Sequence, residues 1–260
     1  DITGEVKFDD VTFSYEQGKT VLEHISFDVK PGESVALVGP TGAGKSTVVS
    51  LLSRFYDLDS GKITIDGKDI SQATLHSLRS QMGIMLQDSF IFSGTIYDNI
   101  RYGRLDATEE EIREAAKIVC ADEFISEMKD GYMTEVNERG SKLSGGQKQL
   151  ISFARTLLSD PKILVLDEAT SSIDARTEKL LHGIISAKIE DNEKNVQQGL
   201  QRLLVGRTSF IIAHRLSTIK NCDKIMYIDN KGIAECGTHD QLIAKKGEYY
   251  KLYTAQHMDE

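Results

Sequence analysis

A glycine-rich loop, placed between an apolar strand and an amphipathic helix, constrains the fold of this chain more than any other feature. The loop Gly39–Ser46 reads Gly-Pro-Thr-Gly-Ala-Gly-Lys-Ser and fits the pattern GxxxxGK[ST] at every fixed position. The apolar run Ser34–Val38 predicts a strand that ends at the loop. A helix is predicted from Lys45 onward, with an apolar face formed by Val48, Val49, Leu51, Leu52 and Phe55. In this strand–loop–helix context the pattern is typical of a loop that binds phosphate groups.

The residues of the loop suit the chemistry of a nucleoside triphosphate and its metal ion. Glycines leave room for backbone N–H groups to surround the phosphates, and Lys45 is long enough to reach the β- and γ-phosphates. The Ser46 hydroxyl is a candidate Mg²⁺ ligand, and Thr47 is placed to donate toward the α-phosphate. The candidate nucleotide-binding residues are Gly39, Thr41, Gly42, Ala43, Gly44, Lys45, Ser46 and Thr47.

Two carboxylates follow a second apolar run, Ile163–Leu166, which is suited to a central parallel strand. They belong to Asp167 and Glu168, and the carboxyl edge of a parallel sheet is where α/β proteins bind ligands. We expect Asp167 to hold Mg²⁺ through water. We expect Glu168 to polarise an attacking water molecule as a general base.

A short segment, Leu143–Gln147, adds a further anion-binding feature sixteen residues before that run. It reads Leu-Ser-Gly-Gly-Gln, and two adjacent glycines after a serine let bare backbone approach a phosphate. The residues from Gln147 to Leu158 predict a helix whose N-terminus faces the anion. Together with the acidic strand end, this segment indicates an ATPase whose active site is completed by a second copy of a similar domain.

Composition and charge describe an ordinary globular chain and exclude several classes of protein. Forty per cent of the 260 residues are apolar and 27% are charged, which is ample for a real core. A net charge of -9 argues against nucleic-acid binding, which needs a basic surface. Three scattered cysteines suggest neither disulfides nor a zinc site. Because no apolar stretch approaches the roughly 18–20 residues that cross a bilayer, we expect a soluble chain in a reducing compartment.

The N-terminal region shows the alternation of apolar and polar residues that is typical of β-strands. The alternation covers residues 5–30, and Pro31-Gly32 ends it. Ile63 and Ile65 then predict a strand that is closed by the hairpin-type turn pair Asp66-Gly67. We therefore predict an antiparallel β subdomain at the start of the chain.

The middle of the chain is predicted to be helical, and buried strands flank it. Further short strands are expected at Gly83–Leu86 and Phe210–Ala213. A capping box over Thr108–Glu111 predicts the start of a helix within residues 90–155. The fold class is therefore α/β, with a mainly parallel sheet and an inserted helical subdomain that carries Leu143–Gln147.

These motifs stand in the order in which they occur in one protein family. From about residue 4 to residue 254, the chain resembles the nucleotide-binding domain of ATP-binding cassette transporters of the exporter type. Leu143–Gln147 resembles the signature of the family, and Tyr15 matches the aromatic residue on which the family stacks adenine. The other matching residues are Gln87 of the Q-loop, Ser171–Asp174 of the D-loop, the switch histidine His214, and the exporter-type segments Ser93–Ile100 and Thr134–Gly140.

The resemblance implies a P-loop NTPase core, a single domain over residues 1–260, and ATP with Mg²⁺ as cofactors. Two such domains, expected as a homodimer, bind head to tail and enclose each ATP between one phosphate loop and the partner's signature. The implied donors to the partner's γ-phosphate are Ser144, Gly145 and Gly146, and Gln147 belongs to the same nucleotide-binding set.

Three further roles follow from the resemblance alone. Gln87 is implied to sense Mg²⁺ and the attacking water beside the interface with a transmembrane domain. His214 is implied to hydrogen-bond the γ-phosphate and to orient Glu168 and water. Asp174 is implied to link the two sites across the dimer, which would lie on the cytoplasmic face of the membrane.

The chain departs from the pattern of the family at three places. Asn137 replaces a glycine of the segment near the membrane-domain contact, and Leu150 stands where an arginine is usual. Forty positions separate Asp174 from His214, a longer connection than the family shows. We expect the surplus, about Leu181–Asn195, to form an extended helix and a solvated polar loop at Glu190–Asn195 on the surface, away from ATP.

Two other classes of ATP-binding cassette protein are alternatives to the exporter interpretation. An importer subunit is opposed by the exporter-type segments near residues 93–100 and 134–140. A cassette ATPase of DNA repair, chromosome organisation or translation should bring a basic surface, a coiled-coil or zinc insertion, or two cassettes. None of these is visible in the sequence. The transported substrate is not encoded in these residues.

Overall fold

The chain divides into two compact units in the computed structural model, which describes residues 2–85, 90–137, 140, 142–168, 186–213 and 216–258. The first, which we call the sheet unit, comprises Asp1–Leu86, Lys162–Thr170 and Gly206–Glu260. The second, which we call the helical unit, comprises Gln87–Pro161 and Ser171–Val205.

The sheet unit is built from two sheets and a few short helices. Its strands are β1 Val6–Glu16, β2 Lys19–Val29, β3 Ser34–Val38, β4 Ser60–Ile65, β5 Lys68–Asp69, β6 Met82–Met85, β9 Ile163–Glu168, β10 Thr208–Ala213, β11 Lys224–Asp229 and β12 Gly232–Gly237. Its α-helices are α1 Lys45–Leu52, α2 Leu75–Arg79, α8 Leu216–Lys220, α9 His239–Lys245 and α10 Glu248–Met258. A 3₁₀ turn covers Ile70–Gln72.

The larger sheet has six strands in the order β12-β11-β3-β10-β9-β6. All neighbours are parallel except β12, which runs antiparallel to β11 at the edge. The central strands are almost wholly apolar, as expected where helices or a second sheet cover both faces. Because they are parallel, β3, β10 and β9 end at the same edge of the sheet. The predicted phosphate loop and the predicted metal-binding residue Asp167 lie at that edge.

The smaller sheet has four antiparallel strands in the order β2-β1-β4-β5. Asp66 and Gly67 connect β4 to β5 with φ angles of 49° and 74°, the two positive values that a type I′ hairpin turn requires. The predicted antiparallel subdomain and its hairpin turn are therefore confirmed. One hydrophobic core joins the two sheets and α1; among its members are Phe8, Leu22, Leu37, Leu52 and Phe210.

One residue of the predicted helix face lies elsewhere. α1 ends at Leu52, and Arg54 adopts a left-handed φ of 51° while the Phe55 N–H donates to the Ser50 carbonyl at 2.9 Å. This pattern of bonds ends a helix in the manner of a Schellman motif. Phe55 is consequently about half exposed, with the Arg79 guanidinium 4.8 Å from its ring centroid, and the prediction that it lies on the apolar face of the helix is wrong.

The helical unit packs several helices around one long central helix. Its helices are α3 Ile96–Arg101, α4 Glu109–Ile118, α5 Asp122–Glu127, α6 Gly145–Leu158 and α7 Ser186–Leu204, with a 3₁₀ turn at Gly131–Met133. Its two short strands are β7 Gly94–Thr95 and β8 Glu135–Val136. α6 contacts α3, α4 and α7. The capping box predicted at Thr108 and Glu111 is present, and it starts α4.

The surplus segment is helical where the structure describes it. α7 is continuous from Ser186 to Leu204, so the polar loop expected at Glu190–Asn195 is wrong. Those residues include neither glycine nor proline, and polar residues such as Glu and Lys are good helix formers on a solvated face. Residues 181–185 lie outside the described part of the chain. Within that part, no helix is both long and apolar enough to span a membrane.

Candidate functional site

The phosphate loop connects β3 to α1 and has a backbone that only glycine suits at two positions. Gly39 has φ +136°, and a Cβ there would lie 2.1 Å from the Ile228 carbonyl oxygen. Gly44 is the N-cap of α1 with φ +104°, and a Cβ there would lie 2.7 Å from Leu22 Cδ2. Both the left-handed backbone and the close approach exclude larger residues.

No side chain caps the N-terminus of α1. The first N–H groups of a helix have no partner within the helix, and they carry partial positive charge. The loop therefore directs bare backbone donors toward the place where an anion would bind.

Lys45 is the first residue of α1, directly after Gly44, and it is buried. Its Nζ donates to the Gly39 and Pro40 carbonyl oxygens, both at 2.8 Å. Burial lowers the pKa of Lys45, and the negative charge of Asp167 acts in the opposite direction. The ammonium group is therefore held on the loop by two carbonyls and lies within electrostatic range of the acidic strand end.

The acidic strand end lies on β9, separated from β3 by the single strand β10. Asp167 is opposite Ile212, which in turn is opposite Leu37 near the end of β3. Neighbouring strands are about 4.8 Å apart, so β9 and β3 are roughly 10 Å apart at this edge. The carboxylate of Asp167 is half-buried, and the backbone of Glu168 pairs with Ala213. The structure thus brings the phosphate loop and Asp167 to one edge of the sheet.

Ser46 and Thr47 follow Lys45 on the first turn of α1. The Ser46 side chain is exposed, whereas Thr47 is buried. The Thr47 Oγ1 lies 3.1 Å from the hydroxyl oxygen of Tyr15, which is on β1. The predicted adenine-stacking residue is therefore connected directly to the first turn after the phosphate loop, a contact that the sequence did not indicate.

In the helical unit, the Leu143–Gln147 segment forms the start of α6. Ser144 Oγ accepts the Gln147 N–H at 3.2 Å, and Gln147 Oε1 accepts the Ser144 N–H at 3.0 Å, which completes a capping box. Because the cap uses Oγ as an acceptor, the hydroxyl hydrogen of Ser144 can still be donated. A Cβ added at Gly145 would meet no atom within 4 Å, so its backbone is open to a ligand.

The two exporter-type segments are paired in the helical unit. β7 and β8 form a ladder in which Gly94 is opposite Val136 and Thr95 is opposite Glu135. The Ile96 N–H also donates to the Thr134 carbonyl at 3.1 Å. The carbonyl of Asn137, the residue that departs from the family, accepts the Gly140 N–H at 2.7 Å.

The second departure, Leu150, is a core residue of α6. Leu150 is 1% exposed, and a Cβ added at Gly199 of α7 would lie 3.1 Å from Leu150 Cδ2. α6 and α7 are thus in close apolar contact at this point. An arginine at this position would bring a charge into that contact, where burying it would be costly.

Several predicted site residues lie outside the described part of the chain. These are Gln87, the D-loop segment Ser171–Asp174 with Asp174, and His214, and the side chain of Glu168 is likewise not described. Their roles stay predictions. In sequence, His214 directly follows the last residue of β10.

Sequence reasoning missed two residues that organise these regions. Tyr56, after α1, lies against Tyr15 with ring centroids 5.0 Å apart. Arg155, on α6, donates to the Phe90 carbonyl at 2.9 Å and to the Asn99 carbonyl at 2.8 Å. No sequence signal could have found either contact, because each joins residues about 40 to 65 positions apart without a shared motif.

Comparison with known proteins assigns the class of protein. The family model described as "ABC transporter" matches residues 22–171, and the chain belongs to that family. The "Uncharacterized ABC transporter ATP-binding protein YknV" of Bacillus subtilis is 52% identical over 256 residues, which are 98% of this chain and 40% of that protein. The "Fatty acid ABC transporter ATP-binding/permease protein" of Mycobacterium bovis is 46% identical over 254 residues, which are 98% of this chain and 38% of that protein.

A solved structure gives the same answer at the level of the fold. The structure of a bacterial Atm1-family ABC exporter with ATP bound superposes with a TM-score of 0.84 at 43% identity. The superposition covers 97% of this chain and 42% of that one. The predicted α/β fold and the membership of the ATP-binding cassette family are confirmed, and the solved structure that the chain resembles is that of an exporter. The chain spans about two fifths of the length of the relatives that it matches.

Proposed function

We propose that this chain binds ATP with Mg²⁺ and hydrolyses it to ADP and phosphate, and that this reaction powers an exporter. The observation that carries the proposal is the apposition of Lys45 and Asp167 at the edge where β3 and β9 end. A fixed cation on a glycine-rich loop and a carboxylate beside it supply both charges that a metal–triphosphate complex needs.

The phosphate loop would bind the triphosphate. Backbone N–H groups of Gly39–Thr47 would surround the phosphates, Lys45 would contact the β- and γ-phosphates, and Thr47 would donate to the α-phosphate. Lys45 would exchange its two carbonyl partners for phosphate oxygens. Tyr15, half exposed beside Thr47, would stack on adenine.

The donor set suits Mg²⁺. The exposed hydroxyl of Ser46 and the carboxylate of Asp167 both offer oxygen, which is the ligand that Mg²⁺ prefers, and Gln87 would add an amide oxygen. The bound ion would neutralise charge that develops on the phosphates. Glu168 would accept a proton from the attacking water, while His214 would hold the γ-phosphate and orient that water.

Completion of the site would require a second domain. Ser144, Gly145 and Gly146 form a capped helix start with an exposed glycine backbone, which suits contact with the γ-phosphate of a partner's ATP. Gln147 fixes the orientation of Ser144 through the capping box. Asp174 would link the two sites of the homodimer.

The membrane partner would bind the helical unit. The paired exporter-type segments lie in that unit with three exposed aromatic residues, among which the ring of Phe92 contacts those of Phe90 and Tyr102. Exposed aromatic clusters of this kind mark interaction surfaces. We propose that residues 1–260 form one ATPase domain that binds a transmembrane domain at the cytoplasmic face of the membrane, as the ATP-binding/permease relatives suggest.

Replacement of the general base tests the reaction. Glu168→Gln should retain ATP binding but lower kcat by about 10²- to 10⁴-fold, since that is the typical contribution of general base catalysis. An ATP-bound dimer should then accumulate and be visible by size-exclusion chromatography. Glu23→Gln, an exposed glutamate of β2, is the matched control and should turn over at the parent rate. Parent-rate hydrolysis by Glu168→Gln would place the base elsewhere.

A further inference from the structure

Three aromatic rings form a closed triangle in the sheet unit. Phe13 and Tyr15 are neighbours on one face of β1, with ring centroids 4.8 Å apart and planes at 86°. Tyr56, which follows α1, meets Tyr15 at 5.0 Å with planes at 88°, and it meets Phe13 at 5.6 Å. Perpendicular rings at these distances have the edge-to-face geometry that aromatic pairs prefer.

Burial differs sharply within this triangle. Phe13 is 3% exposed and belongs to the core, whereas Tyr15 and Tyr56 are 49% and 48% exposed. Core packing therefore explains the position of Phe13 but not that of Tyr56. The Tyr56 ring contacts both Phe13 and Tyr15, and the second contact places it directly beside the predicted adenine-stacking residue.

Tyr15 is fixed at two points. Phe13 and Tyr56 contact the body of its ring, and Thr47 Oγ1 lies 3.1 Å from its hydroxyl oxygen. Thr47 is itself buried on the first turn after the phosphate loop. These contacts hold the ring in one rotamer at a fixed place relative to the phosphate loop.

We infer that Tyr56 is a positioning residue for base recognition: it holds the Tyr15 ring in the orientation that stacks on adenine. The inference rests on the proposed role of Tyr15 as the adenine-stacking residue. A preordered ring binds its ligand without the entropy cost of being ordered first. Tyr56 thus contributes to nucleotide affinity through the base, and not to phosphate binding or to bond cleavage.

Two variants of Tyr56 separate the contribution of base recognition to affinity from that of phosphate binding. Tyr56→Leu removes the ring, and Tyr56→Phe keeps it. Dissociation constants for Mg-ATP and for Mg-tripolyphosphate, which has no base, are measured by calorimetry on the full chain. An aromatic pair contributes about 0.5–1.5 kcal/mol, so Tyr56→Leu should raise the Kd for ATP about 2- to 12-fold. The Kd for tripolyphosphate should not change.

Steady-state kinetics give a second readout. In Tyr56→Leu the KM for ATP should rise while kcat at saturating ATP stays at the parent value. Tyr56→Phe should restore the parent values of both the Kd and the KM for ATP. Phe55→Leu is the matched control, because Phe55 is the adjacent residue and is equally exposed but lies under Arg79. That variant should leave the Kd for ATP unchanged.

Three results would overturn the inference. They are an unchanged Kd for ATP in Tyr56→Leu, an equal weakening of tripolyphosphate, which would indicate damage to the loop, and a failure of Tyr56→Phe to restore affinity. A further variant, Tyr15→Ala, distinguishes failure of the inference about Tyr56 from failure of the proposed function. If Tyr15→Ala weakens ATP binding and Tyr56→Leu does not, only the role of Tyr56 falls. If Tyr15→Ala leaves ATP binding unchanged, the proposed adenine site falls with it.

Discussion

Single residues set the chemistry of the phosphate loop because each of them meets a separate physical demand. Gly39 and Gly44 allow a left-handed backbone against neighbouring atoms that a Cβ would strike. Lys45 supplies a cation whose burial lowers its pKa, which means that the charged form is less stable here than in water. In the absence of bound nucleotide, two carbonyl oxygens and Asp167 offset that penalty.

Removal of this cation should weaken nucleotide binding strongly. Hydrogen bonds to charged groups contribute about 1.5–3 kcal/mol each, so Lys45→Ala should raise the Kd for ATP about 10- to 150-fold. Calorimetric titration with Mg-ATP measures the change. Lys68→Ala, an exposed lysine of β5 in the same unit, should bind ATP as the parent does. Unchanged affinity in Lys45→Ala would contradict the assignment of the loop.

Among the elements, α6 has a different role at each of its two ends. Its first residues form the capped glycine start at Ser144, and eleven residues further on Arg155 holds the segment around Phe90 and Asn99. Arg155 also donates to Asn99 Oδ1 at 2.9 Å, and its guanidinium lies 5.2 Å from the centroid of Phe92. The planar guanidinium offers five N–H donors in a fixed fork that spans several acceptors, whereas a lysine offers three donors on a single nitrogen.

Loss of these bonds should destabilise the helical unit. Burial lowers the pKa of Arg155, but the group stays charged at any physiological pH. Arg155→Met would leave the Phe90 and Asn99 carbonyls without this donor, so we expect unfolding free energy to fall by about 2–4 kcal/mol in urea titrations. Arg113→Met is the matched control. Arg113 also lies over a ring, that of Tyr132, but its ion pair with Glu109 is exposed.

The control should lose less than about 1 kcal/mol, because exposed ion pairs contribute little. Equal losses in the two variants would show that the hydrogen bonds of Arg155, two of which are partly buried, add nothing to its contact with the ring. Retention of the parent stability by Arg155→Met would show that the segment around Phe90 is held by other contacts.

For the whole molecule, net charge decides how two copies meet. The 260 residues carry a net charge of -9, so like charges oppose the proposed dimer at long range. The attraction that closes the proposed dimer must therefore be local, and we propose that bound ATP supplies it. Screening changes the long-range repulsion more than the short contacts, because the Debye length falls from about 30 Å at 0.01 M salt to about 8 Å at 0.15 M.

Added salt should consequently strengthen dimerisation. In Glu168→Gln with saturating Mg-ATP, the dimer Kd from sedimentation velocity should decrease as NaCl rises from about 10 mM to about 150 mM. The parent without nucleotide should stay monomeric throughout. A dimer that weakens as salt is added would mean that attraction between charged groups at the interface outweighs the repulsion between the two net charges.

Features that lie within one short stretch of sequence could be predicted well. The phosphate loop with its strand and helix, the hairpin turn at Asp66-Gly67 and the capping box at Thr108 all depend on neighbouring residues, and the structure confirms each of them. The errors also came from local rules. Phe55 continued the helical periodicity but lies after the helix end, and the polar residues of 190–195 suggested a loop although they include good helix formers such as Glu and Lys.

By itself, then, the sequence determined the backbone freedom and the charges that are available, and from these it predicted which groups bind a triphosphate, since backbone freedom at glycine and the charge of a lysine or an aspartate are properties of single residues. Only the tertiary structure decided which distant residues support them. Sheet order brings Asp167 to the phosphate loop, an aromatic triangle holds Tyr15, and Arg155 fixes the segment around Phe90. Such contacts arise from packing between elements far apart in the chain, and no periodicity within a single element encodes them.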